Sequence, residues 1–238
     1  MAKLSCHLQC SWSIFFALAV LLSHYIASLR GKRLVENRTV VELGAGCGLP
    51  GLVAARFAQQ VLLTDGNEIV MDLLDRNTRN VVNARSMRLE WGTAVSLPND
   101  LDLDAVDVVI AADVVQWPAE VEPLLQTVKA LLGTSRCDRP TFALGIVNRA
   151  QNTYNQFFGL AQEMGFAWEK VPEQTFLPDG QVPACCQEFG GRVTEIFEVY
   201  LVDRPPALQN LPPPPPPPQD LVVGQQQQQK QQQQQDSS

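Results

Sequence analysis

The sequence predicts an α/β domain, a seven-stranded and mostly parallel sheet with helices on both faces and a C-terminal antiparallel hairpin. Three observations predict it. Between Thr39 and Val202, short β-branched runs alternate with longer amphipathic stretches, the pattern of strands joined by crossover helices. The first strand runs into a loop of alternate glycines before a helix. The last two strands have no helix between them, and strands without a helical crossover pair antiparallel.

Taken in order, the predicted strands are Thr39–Leu43, Val61–Thr64, Arg88–Trp91, Val106–Ala111, Thr141–Val147, Phe166–Val171 and Glu195–Val202. Helices are expected at Leu49–Ala58, Glu68–Asn83, Ala119–Leu132 and Thr153–Met164. Ahead of them, Ile14–Leu22 (IFFALAVLL) is continuously apolar. It is shorter than the roughly 18 residues a membrane span takes, so no stable membrane insertion is expected. Ile26, Ala27 and Leu29 carry its helical pattern on towards Arg30-Gly31-Lys32-Arg33. That reads as a buried helix with a basic last turn, which suits the helix dipole. The alternative is a signal peptide cleaved after Ala27 or Ser28.

Residues 1–204 are assigned to this domain and 205–238 to a tail. Pro212–Pro218 and the Gln-rich stretch from Gln225 to Gln235 lack apolar groups with which to join a core, so a disordered spacer is expected. The prolines also offer a docking segment for a partner.

Net charge is −7 over 238 residues. That balance excludes a non-specific grip on nucleic acid, which needs a cationic surface, and suits a basic protein or a neutral small molecule. Six cysteines stand at 6, 10, 47, 137, 185 and 186, none in C-x-x-C spacing, with only His7 and His24 as imidazoles. No four-ligand zinc cluster follows from this set. Scattered thiols point to a reduced intracellular compartment, cytoplasmic or nuclear. Cys185 and Cys186 read as a redox pair or as two plain loop or core thiols.

Val40-Val41-Glu42-Leu43-Gly44-Ala45-Gly46-Cys47-Gly48 is the strongest local signal. Glycines here admit positive φ and let the backbone approach a ligand closely. Gly46-Cys47-Gly48-Leu49-Pro50-Gly51 also matches G-x-G-x-x-G, the dinucleotide fingerprint. That fingerprint starts directly after the strand, yet counted from Gly44 the third glycine falls one position early. Asp65 ends the second strand, about twenty residues on, where an acid can accept ribose hydroxyls. It supports a nucleoside ligand without choosing between a nicotinamide and an adenosylmethionine. On its own, Asp65-Gly66-Asn67 also makes a good turn or helix cap.

The ordered set VVELGAGCGLPGL, LLTDGN, LEWG and IAADVV resembles the methyltransferase 16 family of seven-β-strand enzymes. The similarity runs over about residues 9 to 202. It implies a Rossmann-like fold, S-adenosylmethionine as cofactor and methyl transfer, in several relatives to a protein lysine. It places Trp12 on the cofactor just before the first helix, and Glu42 two residues ahead of the first glycine. Gly44, Ala45 and Gly46 match the loop beside the methionine and ribose portions, and Asp65 the ribose acid. Trp91 matches a tryptophan beside the adenine, and Ala112 a small residue lining the pocket. For Trp12 and Trp91, plain core packing is the competing role.

Two departures fall where an acceptor would be recognised. The family's Asp-x-x-Tyr reads Asp113-Val114-Val115-Gln116 here, with Trp117 one position later. Only eleven residues precede Trp12. Methyl transfer from a sulfonium to an amine needs no metal. Asp113 is the candidate to orient the amine and take its proton, and Trp117 to steady a cation. The competing functions are a small-molecule N-methyltransferase and a catalytically silent interaction module.

Overall fold

The computed structural model describes residues 17–92, 105–177, 183 and 194–202. Trp12, the Cys185–Cys186 pair and the Pro/Gln tail lie outside the described residues. Seven strands form one sheet: β1 (Thr39–Leu43), β2 (Gln60–Asp65), β3 (Ala84–Arg88), β4 (Val108–Ala112), β5 (Thr141–Val147), β6 (Phe166–Lys170) and β7 (Thr194–Leu201). Their spatial order is β3-β2-β1-β4-β5-β7-β6. The first five are parallel, whereas β7 runs antiparallel to both β5 and β6. The expected C-terminal hairpin is therefore present, with the last strand inserted between its two neighbours.

β1 and β5 are buried along their whole length, as strands covered on both faces must be. Alternate strand residues feed two cores. Val40, Leu63, Ile110 and Ala143 pack with the first four helices. Val41, Leu62, Val109 and Phe142 pack with the last two. The first group comprises α1 (17–27), α2 (Leu29–Val35), α3 (Leu49–Ala54) and α4 (Glu68–Thr78). The second comprises α5 (Pro118–Leu132) and α6 (Gln151–Glu163). Among the described residues no helix is long and apolar enough to cross a membrane.

The apolar N-terminal stretch supplies a buried helix, with Leu18, Leu21, Leu22, Tyr25 and Ile26 shut off from solvent. Its expected end is corrected. The helix stops at Ser28, whose hydroxyl donates to Tyr25 O (2.6 Å) and accepts from Gly31 N–H (3.2 Å). This extended serine caps α2, so the basic run lies inside a second helix. α2 turns back so tightly that a Cβ at Gly31 would sit 2.1 Å from Tyr25 O. Only glycine fits there.

Other bounds also differ from expectation: α4 ends at Thr78 rather than Asn83, where the chain turns into β3, and β2, β4, β6, β7, α5 and α6 shift by one or two residues at one or both ends. α3 ends at Ala54 rather than Ala58 because its last turn tightens into i−3 bonds, Arg56 N–H to Val53 O and Phe57 N–H to Ala54 O. β3 occupies Ala84–Arg88, not Arg88–Trp91. Asn83 sets this register: its amide donates to Ala55 O (2.9 Å) and Ala58 O (3.0 Å), anchoring the strand's entry. As an edge strand it carries polar residues, which hid it from a search for apolar runs.

Glu42, on β1, is 1% exposed, and its Oε2 accepts Gly51 N–H of α3 at 2.9 Å. Burial pushes its carboxyl up to about 8, the Gly51 bond opposing and the nearby Asp65 charge reinforcing the rise. The folded chain thus holds this proton where an unfolded glutamate, at about 4.3, has lost it. Stability from this group is fully present below pH 4.3 or so and is lost as pH rises towards about 8. Glu42→Gln removes the titration, so the urea midpoint of the variant should fall less between pH 5 and 8 (roughly the window set by that linkage) than the wild-type midpoint. Parallel pH profiles would contradict the assignment.

Candidate active site

The parallel strands β1, β2, β4 and β5 all end at the same edge of the sheet, where open α/β folds bind their ligands. The glycine turn emerges from β1 there. Gly44 and Gly46 take φ of +61° and +56°, a region that side chains disfavour. A Cβ at Gly44 would come within 2.9 Å of Val114 and 3.4 Å of the Trp91 ring. The indole therefore lies against the turn. A Cβ at Gly46 would meet nothing within 4 Å, so the backbone faces open space at that point.

Hydrogen bonds hold this turn in place. Ala45, 8% exposed, donates its N–H to Thr64 O (2.9 Å), and Gly48 N–H donates to Ala45 O (2.8 Å). Asp65 closes the far side: its Oδ2 accepts Gly46 N–H at 3.0 Å and its Oδ1 accepts Asn67 N–H at 2.9 Å. Each carboxylate oxygen keeps acceptor capacity for a ligand hydroxyl. Asn67 in turn caps α4, its Oδ1 accepting Ile69 N–H. Glu42 lies beneath the turn and reaches α3, not the open face.

Ala112 ends β4 partly buried. Asp113 follows it in a left-handed conformation, φ +61°, at 4% exposure. Three contacts impose that unusual backbone. Its N–H donates to Gly145 O (2.9 Å), its carbonyl accepts Gln116 Nε2 (2.7 Å), and its carboxylate takes a two-pronged ion pair from Arg149. Burial raises the Asp113 carboxyl above its ordinary range, with the Arg149 guanidinium opposing the rise. Trp117 stands 63% exposed at the start of α5 on the same loop.

The structure thus gathers Gly44, Ala45, Gly46, Asp65 and Trp91 around one turn, and sets Ala112 and Asp113 at the end of β4, which neighbours β1 in the sheet. Sequence reasoning missed Arg149, two residues past the end of β5; a cation just beyond a strand end was the available signal. It also missed a polar cluster at this edge, in which Glu195 accepts from Tyr154 Oη and Lys170 Nζ, both at 2.8 Å. Burial, then the Glu195 charge, pushes the Tyr154 hydroxyl up.

Residues 7–164 match the family model described as lysine methyltransferase. The histone-arginine methyltransferase METTL23 of Xenopus laevis is 34% identical over 132 residues, 52% of this chain and 54% of that protein. The protein N-lysine methyltransferase METTL21A of Xenopus tropicalis is 33% identical over 115 residues, 46% of this chain and 50% of its own length. The calmodulin-lysine N-methyltransferase of Arabidopsis thaliana is 30% identical over 145 residues, 57% and 44%. The chain spans about half the length of these relatives. Among solved structures, magnesium protoporphyrin IX methyltransferase from Synechocystis PCC 6803 with bound SAM aligns at a TM-score of 0.54 and 14% identity. That alignment covers 77% of this chain and 79% of that one. The YcgJ protein of Bacillus subtilis aligns at 0.53 and 10% identity, covering 76% and 99%. At such identities the likeness concerns the fold alone, which is the Rossmann-like fold of SAM-dependent methyltransferases. With its model matched over residues 7–164, the chain belongs to the lysine methyltransferase family.

Proposed function

We propose that this chain transfers a methyl group from S-adenosylmethionine to the side-chain nitrogen of a lysine in a protein. The observation that carries the reading is the juxtaposition, at one sheet edge, of the left-handed glycine turn closed by Asp65 with the buried carboxylate of Asp113. When bound, S-adenosylmethionine supplies an electrophilic methyl on a sulfonium centre.

This chain's residues would hold it as follows. Gly44 and Gly46 keep the turn clear of side chains, and Asp65 offers acceptor sites to ribose hydroxyls. Trp91 supplies a flat apolar wall, Ala112 leaves room beside the turn, and Glu42 supports the turn from below. Trp12 belongs to the proposed set by resemblance. Holding the two reactants in attack geometry can supply about 7–11 kcal/mol of the barrier. Asp113 would orient the incoming ammonium and take its proton; its raised pKa makes it a better base than an exposed aspartate. Trp117 would lie against the cationic side chain.

A second reading has its own observation. Asp113 already grips a guanidinium, that of Arg149, through two nitrogens, so an arginine acceptor suits the same carboxylate. Incubating the purified chain with methyl-labelled S-adenosylmethionine and lysate, then hydrolysing the labelled protein, separates the two as methyl-lysine or methyl-arginine. Label confined to small molecules would instead support a small-molecule N-methyltransferase, and no label at all a silent module. Residues 1–204 constitute the proposed catalytic domain, in a cytoplasmic or nuclear protein, with 205–238 as spacer or docking segment.

Asp65→Ala should weaken S-adenosylmethionine by roughly 1.5–3 kcal/mol, the scale of hydrogen bonds to a charged acceptor. Calorimetry giving an unchanged affinity would limit Asp65 to supporting the turn. Asp113→Asn keeps the shape and tolerates the left-handed backbone. It should lower turnover by about 10²-fold or more while leaving cofactor affinity nearly unchanged. Near-normal turnover with a lower melting temperature would assign Asp113 to its pairing with Arg149 alone.

A further inference from the structure

The opposite end of the sheet carries a cleft of about 420 Å³ that the proposed methyl transfer does not use. It opens where β1, β4 and β5 begin, and Arg30, Arg33, Arg38 and Arg139 line it, with Asp107 and Glu198. Four guanidinium groups face two carboxylates in a protein of net charge −7.

The two acids are already engaged. Glu198, 6% exposed, accepts Tyr25 Oη (2.5 Å) and Arg30 Nε (2.6 Å). Burial raises its carboxyl, but the bonds from Arg30 and Tyr25 prevail and hold it ionised below the ordinary range. Glu169 on β6 takes Arg30 (2.5 Å) and Arg139 (2.9 Å), fixing both guanidiniums, and Arg139 also lies 4.0 Å over the Tyr200 ring. Asp107 accepts Thr39 N–H (3.3 Å) and the Ser135 hydroxyl (2.8 Å).

Arg33 and Arg38 are different. Both are exposed, and among the described residues neither guanidinium makes a hydrogen bond or an ion pair. Arg33 lies three residues after Arg30 on α2, on the same helix face. Arg38 is held at the mouth by its own carbonyl, which accepts Gln59 and Gln60 N–H. Arg30 and Arg139 are matched by Glu169 and Glu198, whereas against Arg33 and Arg38 the lining sets one carboxylate, Asp107, so the cleft keeps an excess of positive charge beside two rigidly mounted guanidiniums.

We propose that this cleft binds a phosphate group, as free phosphate or on a phosphorylated side chain. Guanidinium forks match the oxygens of a phosphate in a way single ammonium charges do not. The volume is at the small end of ligand clefts but exceeds what a bare phosphate fills, which leaves room for the group that carries it. Leu34 and Val108 provide an apolar floor for that group.

The full chain is titrated by calorimetry with inorganic phosphate and, separately, with O-phosphoserine. The proposal expects saturable binding of at least one. Phosphate alone would identify the free ion as the source, and phosphoserine binding as tightly or more tightly would identify a phosphorylated side chain. Arg33→Gln with Arg38→Gln, both exposed and unpartnered, should weaken binding about tenfold or more, the loss of one charge-assisted bond or better. Arg76→Gln, at an exposed position of α4 outside the cleft lining, should change nothing, and S-adenosylmethionine affinity should be the same in all three proteins. Absence of saturable binding for both probes would overturn the proposal. So would a double variant that binds like the wild type, or an equal loss in Arg76→Gln.

Discussion

A buried carboxyl group, that of Glu42, underlies the glycine turn. Glu42 is the one acid in a fully buried strand, and its partner is the backbone N–H of Gly51 in the helix that follows. Burying it costs free energy that a leucine would not. In return, a single side chain ties β1 to α3 and so fixes the chord across which the turn must bend. A Cβ at Gly51 would sit 2.3 Å from that carboxylate oxygen, so helix and acid approach as closely as atoms permit. The turn between these two anchored ends carries the positive φ of Gly44 and Gly46 and the Gly46 N–H held by Asp65.

The sheet separates two kinds of polar chemistry by its two ends. At the carboxyl ends, charges pair across elements: buried Asp113 with Arg149, and Glu195 with Tyr154 and the half-exposed Lys170. At the amino ends, arginines from α2 and from the residues before β1 and β5 converge around Asp107 and Glu198. The antiparallel β7 connects the two regions. Glu195 belongs to one end, and Glu198, three residues later and on the opposite face, belongs to the other. A strand of period two inserted between β5 and β6 can serve both faces at once.

The Asp113 loop shows how local strain is carried by its surroundings. A non-glycine residue at φ +61° persists because its N–H, its carbonyl and its carboxylate are each held by a different residue. In the proposed reaction that rigidity keeps a desolvated carboxylate aimed at one place. The same pairing with Arg149 means that an incoming cation must compete with a resident guanidinium, which would make the Asp113 site selective for strongly bound cationic acceptors.

Much of this was legible in the sequence by itself. Strand and helix order, the hairpin, the glycine turn, and the places of Asp65 and Asp113 at strand ends follow from period and turn chemistry, both local properties of the chain. β1 and β5 keep their expected bounds, and both are buried along their whole length. Tertiary structure decided what depends on distant partners. Asn83 pinned β3 four residues earlier than its apolar pattern suggested, through carbonyls of α3. Ser28 and Gly31 split one expected helix in two, because the second had to pack within 2.1 Å of where a side chain would stand. Arg149 on Asp113, and four arginines around one cleft, join residues that lie 36 or more positions apart or arrive from separate elements. Such pairings leave no periodic trace in the chain; they exist only once the sheet has brought its strand ends together.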